Sequence, residues 1–434
     1  MVDIKEAATE APVSNGNNGK RQTKTTAAND VRALAAPLGL REYWYPAIQS
    51  KKIPKNKPAG LKMLGDQIVF FRGKDGEIKA LWNVCPHRGG SLMHGDCHFD
   101  GTVSCPYHGW TFDGDGNVLA VLPEGPESKI PGKVKAKSYP TVTLKGMVFI
   151  WMGEGEAVPP EEDIPPEFFD DRSMILYSQE YWYMNWQLSL ENGHDAHVPY
   201  VHLNAARSWM FPLSSTGPIG TRSKIIAKRT VRPLKTGPVS GTKIKQTLEY
   251  FPEVDGYWPK HNYRKWWSWF FVPFRNKTAK RPPWDVVEEW GNGHRLPSMF
   301  RSDHRTDMLT RNSVPVTENE SRQIWFKTVR PNSWVGRWYE RIHYALYGSW
   351  MQVSNFNKQD LRAMGPQRYD VPEYLSSTDS HQILWRRLIL QARGMMSEQD
   401  ALKVADTEAE VGSFQSQENQ GVEPERIQTM LEQS

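Results

Sequence analysis

A chain of 434 residues with 38% hydrophobic and 24% charged residues has the composition of a globular protein and the length of two or three domains. Its net charge of +5 is mild, and it has neither a nucleic-acid-binding motif nor an apolar run of membrane-spanning length, so we expect no nucleic-acid and no membrane partner. Three cysteines without an apolar leader argue against a secreted disulfide scaffold and indicate a cytoplasmic protein.

Composition divides the chain into a leader, two domains, a linker and a tail. Residues 1–40 are typical of a disordered leader, and residues 41–157 alternate short apolar strands with Gly, Pro and Asp turns, as in an all-β domain. Residues 158–171 form a linker whose prolines and acids disfavour a helix or a central strand. Residues 172–411 form a larger α+β domain, and residues 412–434 form a polar tail.

The larger domain is predicted to contain an antiparallel sheet covered by helices. Strands are expected near residues 225–231 and 243–251. Apolar residues at helical spacing predict helices near residues 185–202, 338–363 and 379–392. The predicted fold class is therefore α+β, with an all-β domain first and the helix-covered sheet second.

Two short motifs in the all-β domain have the composition of a [2Fe–2S] site. Cys85 and His87 belong to the first motif, and Cys105 and His108 belong to the second. In a Rieske-type cluster, two cysteine thiolates hold one iron and two histidines hold the other. Each motif offers one ligand of each kind, so these four residues predict a Rieske cluster.

A structural zinc site built from the same four residues is the competing interpretation. Zinc sites usually pair cysteine with cysteine and histidine with histidine along the chain, whereas each motif here mixes the two. The Rieske interpretation is therefore favoured. The third cysteine, Cys97, lies between the motifs and is expected to have no ligand role.

A second set of metal-binding residue types lies within residues 191–202, which contain three histidines and two carboxylates. An iron site that activates O₂ uses two histidines and one carboxylate and leaves positions open. We predict His197 and His202 as the pair. Positions i and i+5 lie about 140° apart on a regular helix, but Pro199 forces an irregularity that would bring them together. Asp195, seven residues before His202, is expected to support a ligating imidazole.

The two motifs, the linker and the Asn192-x-x-Asp195 segment with its histidine pair resemble the catalytic subunits of Rieske non-haem iron ring-hydroxylating oxygenases. The resemblance covers about residues 41–400 and is closest to the carbazole dioxygenase and 2-oxoquinoline monooxygenase branch. It implies a terminal oxygenase α subunit that assembles as a homotrimer. It also implies that Asp195 bridges an iron-ligating histidine to His108 of the partner subunit.

The resemblance further implies where the third iron ligand stands. Residues 355–361 are similar to the family segment that supplies a carboxylate, which makes Asp360 the predicted ligand. Lesser candidates are Asp370, Glu373 and Asp379. The chain departs from the family pattern because it reads Asp-x-His-x₄-His, which places His197 one residue early and keeps His194 as an alternative ligand.

The implied activity is that of a terminal oxygenase. A ferredoxin or flavin reductase would reduce the cluster, and a mononuclear Fe(II) would use these electrons and O₂ to hydroxylate an apolar, aromatic substrate by mono- or cis-dihydroxylation. Trp209, Phe211 and Trp258 are candidate walls of the substrate pocket. A Rieske electron carrier without a functional mononuclear iron and a protein with zinc at both sites are the alternatives.

A basic strip of four lysines follows the second motif: Lys129, Lys133, Lys135 and Lys137. Such a strip could guide the docking of an acidic ferredoxin. It could equally keep a strand edge soluble.

Overall fold

The computed structural model describes residues 36–194, 230–235, 244–249, 293–303 and 307–367 and, singly, residues 201, 290, 382, 385, 386, 389, 390 and 392. Ala36 and Leu40 are already buried, so packing begins before the predicted start of the first domain at residue 41. Among the described residues, no helix combines the length and the apolarity needed to cross a bilayer.

The first domain consists of short antiparallel strands in three small sheets, as the sequence predicted. The sheets have the strand orders β1-β10-β9, β2-β3-β4-β8 and β5-β6-β7. The strands are β1 Trp44–Gln49, β2 Ala59–Met63, β3 Asp66–Arg72, β4 Ile78–Trp82, β5 Val103–Ser104, β6 Trp110–Phe112, β7 Val118–Val121, β8 Ser138–Tyr139, β9 Thr141–Leu144 and β10 Met147–Trp151. The first Cys-His motif follows β4, and the second joins β5 to β6.

The turn between β6 and β7 is fixed by an aspartate and a glycine. The Asp113 carboxylate accepts a hydrogen bond from the Asn117 backbone N–H at 2.8 Å, which closes the turn. Gly116 has a φ of +87°, and a Cβ atom there would lie 2.2 Å from the backbone oxygen of Ala136. Only glycine therefore fits at the point where this hairpin reverses.

The segment between the domains packs against both of them. It contains two single 3₁₀ turns, Pro160–Glu162 and Pro166–Phe168, each with proline at its start, where a backbone N–H is not needed. Asp163 accepts a hydrogen bond from the Trp44 backbone N–H at 3.0 Å, and Glu167 forms a buried ion pair with Arg301 at 2.5 Å. These contacts tie the linker to the first strand on one side and to the large sheet on the other.

The second domain is built on a seven-stranded antiparallel sheet with the order β11-β17-β16-β15-β14-β13-β12. Its strands are β11 Met174–Trp182, β12 Thr230–Lys235, β13 Ile244–Glu249, β14 Gly293–Arg295, β15 Met299–Asp303, β16 Met308–Thr317 and β17 Glu320–Val329. Within the described ranges, the helices with defined bounds are α1 Trp186–Glu191, α2 Trp334–His343 and α3 Lys358–Met364, with π-helical segments Tyr344–Gly348 and Trp350–Asn357 between α2 and α3. The predicted α+β architecture is confirmed.

One aromatic core joins the two domains. Phe149 on β10 contacts Phe168 with ring centroids 4.9 Å apart, and Phe168 contacts Phe326 on β17 at 5.0 Å. Both contacts are edge-to-face, the arrangement that aromatic rings favour. The buried guanidinium of Arg322 also donates to the Pro46 backbone oxygen on β1 at 3.0 Å. The first domain is therefore packed on the large sheet rather than tethered to it.

Candidate metal centres

The two Cys-His motifs form loops of the same construction. In the first loop the Cys85 N–H donates to the Gly90 oxygen at 2.8 Å, and the Gly89 N–H donates to the Cys85 oxygen at 2.9 Å. The second loop repeats these bonds, from the Cys105 N–H to the carbonyl five residues later at 2.8 Å and from the Gly109 N–H to the Cys105 oxygen at 3.1 Å. Both closing glycines have positive φ, which L-residues rarely adopt. The repeated geometry presents one thiol and one imidazole from each loop.

The two thiols lie together inside the domain. Cys85 and Cys105 are both buried, and a Cβ atom at Gly90 would lie 3.0 Å from the Cys105 sulfur, a tight contact that favours glycine beside the thiols. Burial, together with the neighbouring Cys105, raises the pKa of the Cys85 thiol to about 11. This thiol therefore keeps its proton at neutral pH unless a metal displaces it, as metal binding to cysteine does.

The two imidazoles lie together at the surface. The rings of His87 and His108 meet edge to face with centroids 4.7 Å apart. Trp110 stacks on His87 at 4.8 Å with an interplanar angle of 2°. Partial desolvation and the charges of His87 and Arg88 lower the pKa of His108, which favours the neutral imidazole that ligates metals. The indole and the second imidazole fix the orientation of the His87 ring.

This separation of thiols from imidazoles fits a dinuclear cluster. Within the described part of the chain, no three His, Cys, Asp or Glu side chains converge on one ion-sized site. A structural zinc would need four ligands around a single ion, whereas a Rieske cluster needs two ligands on each iron. Cys85, Cys105, His87 and His108 could thus hold a [2Fe–2S] cluster, and Cys97 is a half-buried thiol whose pKa burial raises to about 11.

The second candidate site begins at the end of α1. Asn192 is buried there in a 3₁₀ turn, and the predicted residues Asp195, His197 and His202 lie outside the described residues. The pocket candidates Trp209, Phe211 and Trp258 also lie outside them, as do the alternative carboxylates Asp370, Glu373 and Asp379. The His194 side chain is likewise not described.

Two long-range contacts hold the end of α1, and the sequence did not reveal them. Glu191 forms a two-pronged ion pair with Arg386, at 2.8 and 2.7 Å, and both side chains are almost completely buried. His294 on β14 makes a 2.7 Å hydrogen bond with the Leu190 oxygen. A Cβ atom at Gly193 would lie 2.8 Å from the His294 ring, so this glycine allows the close approach. The segment that leads into Asp195 is therefore clamped from two sides.

Asp360 lies in α3, and its side chain is only 2% exposed. Its negative charge acts on Arg311, a fully buried arginine of β16 whose pKa burial lowers to about 10 while Asp360 opposes that shift. Arg311 also donates to the Ser189 backbone oxygen of α1 at 2.6 Å and to the Gln323 side chain at 3.0 Å. One buried cation thus links the helix that carries Asp360 to the helix that precedes Asp195.

Between α1 and the sheet, the hydrogen bonds of Arg311 continue through three neutral side chains. The Gln323 amide donates to the hydroxyls of Ser189 and Ser313 at 3.1 and 2.8 Å, and these two hydroxyls are hydrogen-bonded to each other. A satisfied buried network of this kind fixes one arrangement of the helix on the sheet. Arg311 is the one charged residue in the sequence of β16. This isolated charge was the sequence signal that could have indicated a buried polar network.

Family models match two parts of the chain. Residues 43–140 match the Rieske [2Fe-2S] domain, and residues 151–231 match the homotrimeric ring hydroxylase family. The terminal oxygenase component of carbazole 1,9a-dioxygenase from Metapseudomonas resinovorans is 39% identical over 38% of this chain and 44% of its own length. The oxygenase subunit of phthalate 4,5-dioxygenase from Pseudomonas putida is 29% identical over 42% of this chain and 45% of its length. These matches span less than half of the curated relatives.

Solved structures match over a greater length. A carbazole-bound complex of oxygenase and ferredoxin from carbazole 1,9a-dioxygenase has a TM-score of 0.64 and 25% identity, and the match covers 84% of this chain and 92% of that one. The terminal oxygenase of carbazole 1,9a-dioxygenase from Nocardioides aromaticivorans shares the fold at a TM-score of 0.64 and 23% identity over 84% of this chain and 98% of that one. The chain thus has a Rieske [2Fe-2S] domain followed by a segment of the homotrimeric ring hydroxylase family, and it is similar to the terminal oxygenase components of carbazole 1,9a-dioxygenase.

Proposed function

We propose that this protein is the terminal oxygenase component of an oxygenase system that hydroxylates an apolar, aromatic substrate with O₂. The observation that carries the proposal is the pair of similarly built loops with buried thiols and surface imidazoles, followed in the chain by a ring hydroxylase domain. The named substrates of several relatives are aromatic compounds, among them carbazole and phthalate. A homotrimer is proposed from the description of the matching family.

In this proposal the first domain receives electrons. When bound, a [2Fe–2S] cluster supplies one-electron transfer at a potential that histidine ligation raises. Cys85 and Cys105 would hold it from inside the domain, and His87 and His108 would hold it at the surface. The exposed lysines Lys129, Lys133, Lys135 and Lys137 add positive charge to this domain and would attract an acidic ferredoxin or a reductase. Solved relatives include complexes of oxygenase with ferredoxin.

The second domain is proposed to hold a mononuclear ferrous ion through His197, His202 and Asp360. When bound, such an ion supplies O₂ activation at its open coordination positions. Asp360 fits the carboxylate role because it is buried and its charge acts on Arg311, a buried cation of β16. Asn192 and the Glu191–Arg386 pair fix the chain that leads to Asp195, which we propose links the two metal sites.

Metal analysis with electron paramagnetic resonance tests the function. We expect about three irons and two acid-labile sulfides per chain, with a Rieske signal on reduction. Two irons and two sulfides would support an electron carrier without a mononuclear site and would refute the oxygenase. Zinc without sulfide would refute both.

A matched pair of cysteine variants tests the cluster ligands. Cys105→Ser removes a thiolate that the proposal needs, so we expect loss of the visible absorption and of both sulfides. Cys97→Ser replaces a half-buried thiol that lies outside the paired loops, and it should leave the spectrum unchanged. Equal loss in both variants would mean that the paired-loop geometry does not define the site.

A further inference from the structure

Helix α2 and the π-helical segments after it carry large apolar side chains on the outside of the molecule. We call the set spaced four residues apart the apolar row: Trp334, Trp338, Ile342, Leu346 and Trp350, with exposures of 75%, 61%, 47%, 79% and 48%. Val335 and Tyr339 widen it, at 56% and 62%. None of the ten residues of α2 is buried. Contiguous exposed apolar surface of this kind marks an interaction site.

The row stays straight because the helix changes its geometry. Residues four apart drift to one side along an α-helix, which has 3.6 residues per turn. A π-helix has more residues per turn, so the drift there runs the other way. The α-helical part ends at His343, and π-helical geometry begins at Tyr344. The two drifts offset each other, and the side chains remain aligned along the helix.

The outward orientation of the row is fixed by contacts on the opposite side. The Tyr344 hydroxyl bonds the Ser178 hydroxyl on β11 at 2.9 Å, and Ser349 bonds the same hydroxyl at 2.7 Å. Ser333 caps the start of α2 by accepting from the Gly336 N–H at 3.1 Å. Because the far end is anchored to the sheet, the helix cannot turn the row inward without breaking these bonds.

The charged residues of α2 are also divided between the side that faces the domain and the outer side. Its only acid, Glu340, is paired with Lys327 of β17 at 3.5 Å and so faces the domain. Arg341 is two helical turns after Trp334 and therefore lies along the edge of the apolar row. Arg337, about one turn before Arg341, lies on the same edge. The outer face of α2 thus combines aromatic and aliphatic side chains with a cationic edge and presents no carboxylate of its own.

We propose that this face docks on the surface of an anionic lipid bilayer, with the apolar row among the headgroups and the arginines on the lipid phosphates. Tryptophan and tyrosine favour the boundary between headgroups and acyl chains, and basic edges favour anionic lipids. A second copy of the chain is the competing occupant of this face, and the experiments below distinguish it from a bilayer. This proposal revises the expectation of no membrane partner, which rested on the lack of a spanning segment, because surface docking needs none.

Sedimentation with vesicles tests the proposal on the full, cluster-loaded chain and does not depend on the proposed oxygenase activity. We expect binding to vesicles of phosphatidylcholine with phosphatidylglycerol, and weaker binding at high salt. Leu346→Ser should weaken binding about 10- to 150-fold, since burial of a leucine is worth about 1.5–3 kcal/mol. Leu119→Ser is the matched control, because Leu119 is 52% exposed on β7 of the other domain. Arg341→Gln should weaken binding about fivefold on anionic vesicles only.

Three results would overturn the proposal. The first is the absence of vesicle binding by the unmodified protein. The second is equal binding by Leu346→Ser and by the unmodified protein. The third is a change of oligomeric state in Leu346→Ser without a change in lipid binding, which would assign the row to a contact between copies of the chain.

Discussion

Asp360→Ala is expected to abolish product formation while the [2Fe–2S] cluster survives. The substitution removes a buried carboxylate that we propose as an iron ligand and whose charge acts on the buried cation Arg311. Iron should fall from about three to about two per chain, with sulfide unchanged. Loss of a negative charge that acts on the buried cation Arg311 should also lower the melting temperature.

Asp360→Glu separates ligation from folding in this experiment. It keeps a carboxylate beside Arg311 and should recover part of the third iron. Iron analysis, the reduced-cluster signal and thermal unfolding measured on the same preparations distinguish the two effects. A full complement of mononuclear iron in Asp360→Ala would assign the ligand to another carboxylate.

Arg386→Ala is expected to weaken the mononuclear site from a distance. It breaks the buried two-pronged pair with Glu191, which should destabilise the second domain by about 3–5 kcal/mol. Because this pair holds the chain shortly before Asp195 and the proposed ligand His197, affinity for ferrous ion should fall about 10–100-fold, as for other residues that orient ligands. Chemical unfolding and ferrous titration of metal-depleted protein measure the two effects.

Two further variants make the Arg386 experiment decisive. Glu191→Ala should have the same effect as Arg386→Ala, whereas the double variant should recover part of the stability because no unpaired charge remains buried. Arg172→Ala is the matched control, since its pair with Asp170 involves an arginine that is 67% exposed and should cost at most about 1 kcal/mol. Unchanged iron affinity in both single variants would show that the pair has no role in positioning the metal segment.

The cluster loops were predictable because their information is local. One thiol and one imidazole within each short loop, closed by glycine, define the ligand types without any knowledge of the rest of the chain. The α+β class of the second domain was predictable because periodicity is a local signal, but only strands near residues 225–231 and 243–251 were predicted, and β11 and β14 to β17 were missed. The helix predicted at residues 338–363 extends over Trp334–Met364, with π-helical geometry in its middle.

The clamp on α1 was not predictable because its members are far apart in sequence. Nothing near Glu191 indicates that its partner is Arg386, and nothing near Arg311 indicates that it reaches Ser189. The spacing of the apolar row can be read from the sequence, but an amphipathic helix normally packs such an apolar face against the protein core. Only the contacts of Tyr344 and Glu340 with the domain show that the row faces outward.

The Glu191–Arg386 pair has a consequence for synthesis on the ribosome. The two residues are 195 positions apart, so the pair can form only when most of the chain has been translated. Both cluster loops are synthesised earlier than Arg386, and the interval is on the order of tens of seconds at ordinary elongation rates. The loops of the first domain therefore leave the ribosome while the segment before Asp195, which we propose carries the second metal site, still lacks its clamp.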